Sequence, residues 1–193
     1  PGVQGSVMLH AVAGKAACLG EALQPAFAAY QRSALENAHV LADALAAHGL
    51  RIVTGGTDAT LLLADLTPLG LSGDIVAKAL ERAGLAVNKN LIPFDPHPPE
   101  APSGLRLSSN AGTARGFGVA EFERIAGFIG RVLAAPNDKM EITAIRNDVR
   151  TLCAAWPIYS TPHVRRAQNK KTRKRRTAPG LVINRTARNA ETD

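Results

Sequence analysis

Five prolines, Pro93, Pro96, Pro98, Pro99 and Pro102, fall within ten residues of this chain. No helix and no central strand runs through such a stretch. Each proline lacks an N–H, fixes its own φ and pushes the preceding residue into extended geometry. The chain is thereby divided. Asn88–Pro102 reads as a long ordered loop between two regions of regular structure, and long loops inside compact domains often carry function.

Before the loop, Val7–Ala47 is rich in Ala and Leu and lacks β-branched runs. It reads as one long helix or two, with Pro25 breaking or kinking it near the middle. Leu35, Ala38, Leu41, Ala42 and Leu45 keep the three-to-four spacing of one apolar face, and Gly49 is a stop signal. Arg51–Thr54 is a short strand candidate, Gly55-Gly56-Thr57-Asp58 a turn, and Thr60–Leu66 a partner strand. Ser72 suits an N-cap for the helical run Ile75–Ala83. Gly84 ends that run, and Leu85–Val87 reads as a short strand. After the loop, Gly104–Ser108 reads as a strand. Val119–Ala134 and Met140–Ala154 read as helices, the first opening with Glu121 and Glu123 near its positive end. Short strands with flanking helices predict an α+β fold: one small sheet with helices covering a face. Aromatics make up only 4% of the chain, so the core must be mostly Ala, Leu, Val and Ile.

The net charge of +7 is unevenly spread. Residues 1–138 carry 10 Lys and Arg against 12 Asp and Glu, and residues 139–193 carry 13 against 4. Eight basic residues lie within Arg165–Arg176. This asymmetry marks a boundary. From about Thr161 the sequence is polar, basic and aperiodic, which predicts disorder. The tail has no interleaved aromatics, so weak phosphate contact is expected from it rather than base stacking. It reads as an unselected extension, and the near-neutral body argues against a nucleic-acid-binding protein. No apolar run suits a membrane span, and nothing suggests secretion. Cys18 and Cys153 form no metal or redox motif, and the five histidines show no ligand spacing.

Several segments stand in a suggestive order. They are Pro1-Gly2-Val3-Gln4-Gly5 with His10-Ala11-Val12-Ala13-Gly14-Lys15-Ala16, then Gly55-Gly56-Thr57-Asp58, then Val87-Asn88-Lys89-Asn90 with Ile92-Pro93. Ser103-Gly104-Leu105-Arg106 follows, with Arg115-Gly116-Phe117 and, near the end, Leu152-Cys153 and Trp156-Pro157-Ile158-Tyr159. Together they resemble the C-terminal portion of the serine (glycine) hydroxymethyltransferases, which are fold type I pyridoxal-phosphate-dependent enzymes. The resemblance covers about residues 1–160. It implies an inter-domain segment and long helix over 1–48 and a C-terminal small domain over 49–160, and it leaves the basic tail over 161–193 beyond the family's normal end.

The resemblance also implies roles. Arg106 would hold the carboxylate of serine or glycine, a task that suits a planar, permanently charged fork. Gly5 would bring its backbone to the cofactor phosphate across a dimer interface, with Ser6 beside it. Asn90 would face the folate pteridine, and Pro98-Pro99-Glu100 falls on a short folate-contacting stretch. Without the family context, Arg106 reads as a surface ion-pair residue, Gly5 as a turn glycine and Asn90 as a loop-stabilising side chain. The implied reaction is reversible transfer of a one-carbon unit between serine and tetrahydrofolate, with pyridoxal 5'-phosphate as cofactor, in a cytoplasmic homodimer or homotetramer.

Departures stand beside these matches. The family's Schiff-base lysine has no counterpart here, so the chain alone is expected to be inactive, and an inactive fragment serving as an interaction module is the alternative reading. Ser6 replaces a usual second glycine. Thr60 stands where the family has histidine. Ser108-Ser109-Asn110-Ala111 stands where it prefers Gly-Thr-Pro-Ala.

Overall fold

A computed structural model describes residues 2, 3 and 5–158. Two helices open the chain, α1 (Leu9–Ala22) and α2 (Pro25–Ala47). Pro25 separates them. It occupies the first turn of α2, where its missing N–H leaves no helical bond unmade. The face that α2 buries is Ala34, Asn37, Ala38, Leu41, Ala42 and Leu45. Leu35 lies at the edge of that stripe. Asn37 is the polar member, and it is satisfied: its amide donates to Thr113 Oγ1 at 2.9 Å and to the Phe117 carbonyl at 3.1 Å. The helix ends as Gly49 adopts φ +88° and Leu50 N–H returns to the Leu45 carbonyl. By contrast α1 buries none of its residues, and Leu9, Val12 and Leu19 face solvent.

Four antiparallel strands form one sheet in the order β1 (Arg51–Ile52), β2 (Leu61–Asp65), β4 (Gly104–Ser108), β3 (Asn88–Asn90). The third strand differs from expectation. It lies on Asn88–Asn90 and not on the more apolar Leu85–Val87, so the proline loop begins as paired strand. Register explains the shift: Asn88, Lys89 and Asn90 are opposite Arg106, Leu105 and Gly104. Apolar character alone favoured the three residues before them, but the backbone partners lie opposite the polar ones. Two short elements were also not foreseen, a 3₁₀ turn at Thr67–Leu69 and α4 at Asn110–Arg115.

Side chains alternate across the sheet. Ile52, Leu62, Ala64, Leu105 and Leu107 are buried in one cluster with the apolar faces of α2, α3 (Gly73–Arg82), α5 (Val119–Ala134) and α6 (Lys139–Ala155). Leu61, Arg106 and Ser108 are exposed on the other face. The α+β layer predicted from element order is the observed architecture. Its core is built largely from aliphatic residues, with Phe117, Phe122 and Phe128 the aromatic members.

Helix ends follow local chemistry. Ser72 accepts from Asp74 N–H at 3.3 Å and caps α3. Glu121 reaches back to Gly118 N–H at 2.9 Å at the start of α5. Asp138 accepts from Met140 and Glu141 N–H at 2.8 and 3.1 Å and starts α6. Residues 159–193, including the basic run, lie outside the described residues.

Candidate functional site

Arg106 sits in the middle of β4, opposite Leu63 of β2 and Asn88 of β3. Its neighbours Leu105 and Leu107 point into the core, so the pleat turns Arg106 outward. Arg106 lines two open clefts that share Ala86, Val87 and Asn88. One, of about 540 Å³, runs toward Asp74, Lys78 and Glu81 of α3. The other, of about 430 Å³, runs toward Leu61, Ser108 and Ala111. Among the described residues Arg106 enters no ion pair. The surface ion-pair reading therefore finds no partner here, and the fork is available to an anion.

The glycine before it has a packing reason. A Cβ on Gly104 would stand 2.7 Å from Ile92 Cγ2 and 2.8 Å from the Asn90 carbonyl oxygen. Gly73 is as tight against the same strand, 2.6 Å from the Gly104 carbonyl oxygen. The start of β4 thus lies pressed between β3 and the first turn of α3, which fixes Arg106 relative to both.

Lys89 completes this frame. Its ammonium donates to Asp74 at 2.9 Å and to the Glu100 carbonyl at 2.6 Å. Asp74 also takes Lys78 at 2.7 Å. These two ammonium groups, Lys78 first, hold the Asp74 carboxyl below its usual range. One lysine therefore ties α3, β3 and the proline loop together beside Arg106. Sequence reasoning passed over it. The only signal was position, since Lys89 alternates with Asn88 and Asn90 and so points to the helix side.

The proline loop is organised by one carboxylate. Asp95 has a side chain only 2% exposed and accepts from Ile92 N–H at 3.2 Å, His97 N–H at 3.0 Å, Ser103 N–H at 2.8 Å and the Ser103 hydroxyl at 2.7 Å. The His97 ring lies 2.9 Å from the same hydroxyl through Nδ1. Burial alone would raise the Asp95 pKa. The Ser103 N–H and hydroxyl, with the other amides, outweigh it and hold the carboxyl well below the usual range. Phe94, next door, adopts φ +58° and is fully exposed.

The other expected site residues are arranged as follows. Asn90 lines the larger Arg106 cleft, and its amide donates to the Leu91 carbonyl at 2.8 Å, a loop-stabilising bond. Pro98 and Pro99 are exposed; the Pro98 carbonyl accepts from Ala101 N–H in a tight turn. Glu100 is exposed and engaged through its backbone by Lys89. None of these three lines the Arg106 clefts. Gly5 and Ser6 lie exposed ahead of α1 and are not brought to Arg106 within this chain. The departures near Arg106 are absorbed by the fold. Ser109 is buried and donates to the Ala34 carbonyl at 2.6 Å, and Ser108 donates to the Thr60 carbonyl at 3.0 Å. Among the described residues no group of His, Cys, Asp and Glu is placed to hold a metal ion.

A small antiparallel sheet covered on one face by helices, with an arginine on its open face, defines the class: an α+β small domain of the fold type I kind. Similarity narrows it. The family model described as serine hydroxymethyltransferase matches residues 1–129. Serine hydroxymethyltransferase 2 of Rhodospirillum rubrum is 49% identical over 165 residues, which cover 82% of this chain and 38% of that protein. The serine hydroxymethyltransferase of Sphingopyxis alaskensis is 48% identical over the same length, with the same shares covered. This chain belongs to the serine hydroxymethyltransferase family. It spans about two fifths of the length of these curated relatives.

Proposed function

We propose that this chain supplies the substrate-carboxylate arm, and part of the folate site, of a pyridoxal-phosphate-dependent serine hydroxymethyltransferase. The reaction is serine plus tetrahydrofolate to glycine plus methylene-tetrahydrofolate and water. The observation that carries this reading is Arg106: a guanidinium without an ion-pair partner among the described residues, at the head of two open clefts, on a strand held from both sides. A bidentate grip on the amino acid's carboxylate fixes the orientation of the bonds at its Cα, which is the geometric requirement for breaking one of them selectively.

The fit to the cofactor is limited to one edge. Among the described residues nothing lies within 4 Å of where a Cβ on Gly5 would stand, so an anion can approach its backbone, and the Ser6 hydroxyl adds a donor. In this reading the two serve a phosphate bound in a second subunit's site. Pyridoxal phosphate, when bound, supplies the electron sink for cleavage at Cα. This chain's own contributions are carboxylate binding by Arg106 and the placing of Asn90 in the same cleft, where its amide offers both donors and acceptors to a pteridine edge. In this reading Pro98, Pro99 and Glu100, which lie outside that cleft, supply a further folate-contacting stretch. Residues 1–48 act as the inter-domain segment and 49–160 as the small domain of a homodimer or larger assembly.

The test is complementation. The chain is co-expressed with the part of the Rhodospirillum rubrum relative that lies outside the match, and serine cleavage with tetrahydrofolate is assayed. Arg106→Lys should raise the KM for serine by about tenfold or more, the size of one lost hydrogen bond to a charged group. An unchanged KM in an active complex would remove Arg106 from the substrate site.

A further inference from the structure

A second cleft lies on the far side of α3, against α6. It has a volume of about 330 Å³ and is lined by Arg82, Lys139, Ile142, Thr143 and Arg146. Lys139, Thr143 and Arg146 stand at i, i+4 and i+7 and so share one face of α6. Arg82 reaches the same cleft from the last turn of α3 and is anchored there, with Nη2 donating to the Pro136 carbonyl at 3.0 Å. Ile142 is buried beneath them and gives the cleft an apolar floor.

The charge here is unbalanced for a specific reason. The two acids of α6, Glu141 and Asp148, are both drawn to Arg131 of α5, at 2.7 and 2.8 Å. They satisfy one guanidinium on another face of the helix. Among the described residues no carboxylate lines the Arg82 cleft. Among the described residues Arg82, Lys139 and Arg146 enter no ion pair. Three cations therefore converge on one concavity in a body whose residues 1–138 are slightly acidic overall. Like charges gathered without a counter-charge repel one another, and a bound polyvalent anion relieves that repulsion.

We propose that this cleft binds a compact phosphate-bearing ligand, a diphosphate or a phosphomonoester, through Arg82, Lys139 and Arg146. Two guanidinium forks match phosphate oxygens in pairs, and the lysine supplies a point charge between them. The Thr143 hydroxyl hydrogen is engaged by the Lys139 carbonyl at 2.7 Å, so the three cations carry the recognition. The cleft is distinct from those of Arg106, and the two regions share α3, whose Asp74, Lys78 and Glu81 line the other side.

Inorganic pyrophosphate is the probe, titrated calorimetrically into the full chain at about 0.15 M salt, where long-range attraction between exposed charges is largely screened. Saturable one-site binding is expected. The double variant Lys139→Gln/Arg146→Gln changes two exposed side chains and should weaken it about tenfold or more, as lost bonds to charged groups do. The control Arg165→Gln/Arg166→Gln/Lys170→Gln/Lys171→Gln should bind as the parent does. Binding lost in the control but kept in the double variant would overturn the proposal and assign the anion to the basic run. So would citrate competing as well as pyrophosphate, an oligoribonucleotide binding where pyrophosphate does not, or no pyrophosphate binding at all.

Discussion

Asp95 shows how much of this molecule rests on single side chains. One carboxylate takes four hydrogen bonds and closes a loop that five prolines keep from pairing as a sheet. Its pKa is depressed in the folded state. Its contribution to stability is therefore complete above the usual carboxylate value of about 4, and is lost as pH falls through the lower folded value. Asp95→Asn should lower the urea midpoint at pH 7, and the gap to the parent should narrow steadily between about pH 4 and pH 2. A gap that stays constant over that range would show that the charge is not what holds the loop. Local signals read directly at this scale: whereas Arg106 was singled out by the resemblance of Ser103-Gly104-Leu105-Arg106, Ser72 was legible as a cap because capping depends on its immediate neighbours. The Asp95–Ser103 and Lys89–Asp74 bonds were not, since their partners lie 8 and 15 residues away and only the folded chain brings them together.

Among the elements, α3 has the most to do. It presses on the start of β4 through Gly73, holds Lys89 through Asp74, walls the Arg106 cleft with Lys78 and Glu81, and sends Arg82 to the opposite cleft. Its N-terminus depends on the Ser72 hydroxyl, which accepts from Asp74 N–H. Ser72→Ala should cost about 1 kcal/mol of stability in denaturant unfolding. If Asp74 is positioned by this cap, the same change should also loosen the Lys89 tie. Amide protection at Asn88–Asn90 would report that, and unchanged protection there would separate the two. Element types and order followed from periodicity, capping residues and prolines. The position of β3 did not, because a three-residue edge strand is fixed by the register of its partner, and its own polar side chains hide it. The short α4 was also missed: six residues give too few turns for a periodic pattern.

At the scale of the whole molecule the α+β layer was legible because aliphatic faces on α2, α5 and the sheet are complementary. Leu41, Leu45, Leu105 and Ile129 are nearly fully buried. Of the expected site residues, Arg106 and Asn90 line one cleft. Gly5 and Ser6 are separated from Arg106 within one chain, and the proposed cofactor edge requires a second subunit to reunite them.

The bareness of α1 has a thermodynamic consequence. Fourteen residues, among them Gly14 and Gly20, form a helix that hides no side chain of its own. Isolated helices of this length are marginal in water, because nucleation is unfavourable and tertiary contact normally compensates. In this chain studied alone, Leu9–Ala22 should behave as a helix–coil equilibrium independent of the rest. Its amides should exchange with deuterium near unprotected rates while those of Leu41 and Leu45 require global unfolding. Uniform slow exchange across both helices would mean that α1 is held by something else, such as another copy of the chain. Fast exchange would make α1 a sensor of assembly: its protection would rise only when a surface arrives to cover Leu9, Val12 and Leu19, so the ordering of this one helix would report the arrival of that surface.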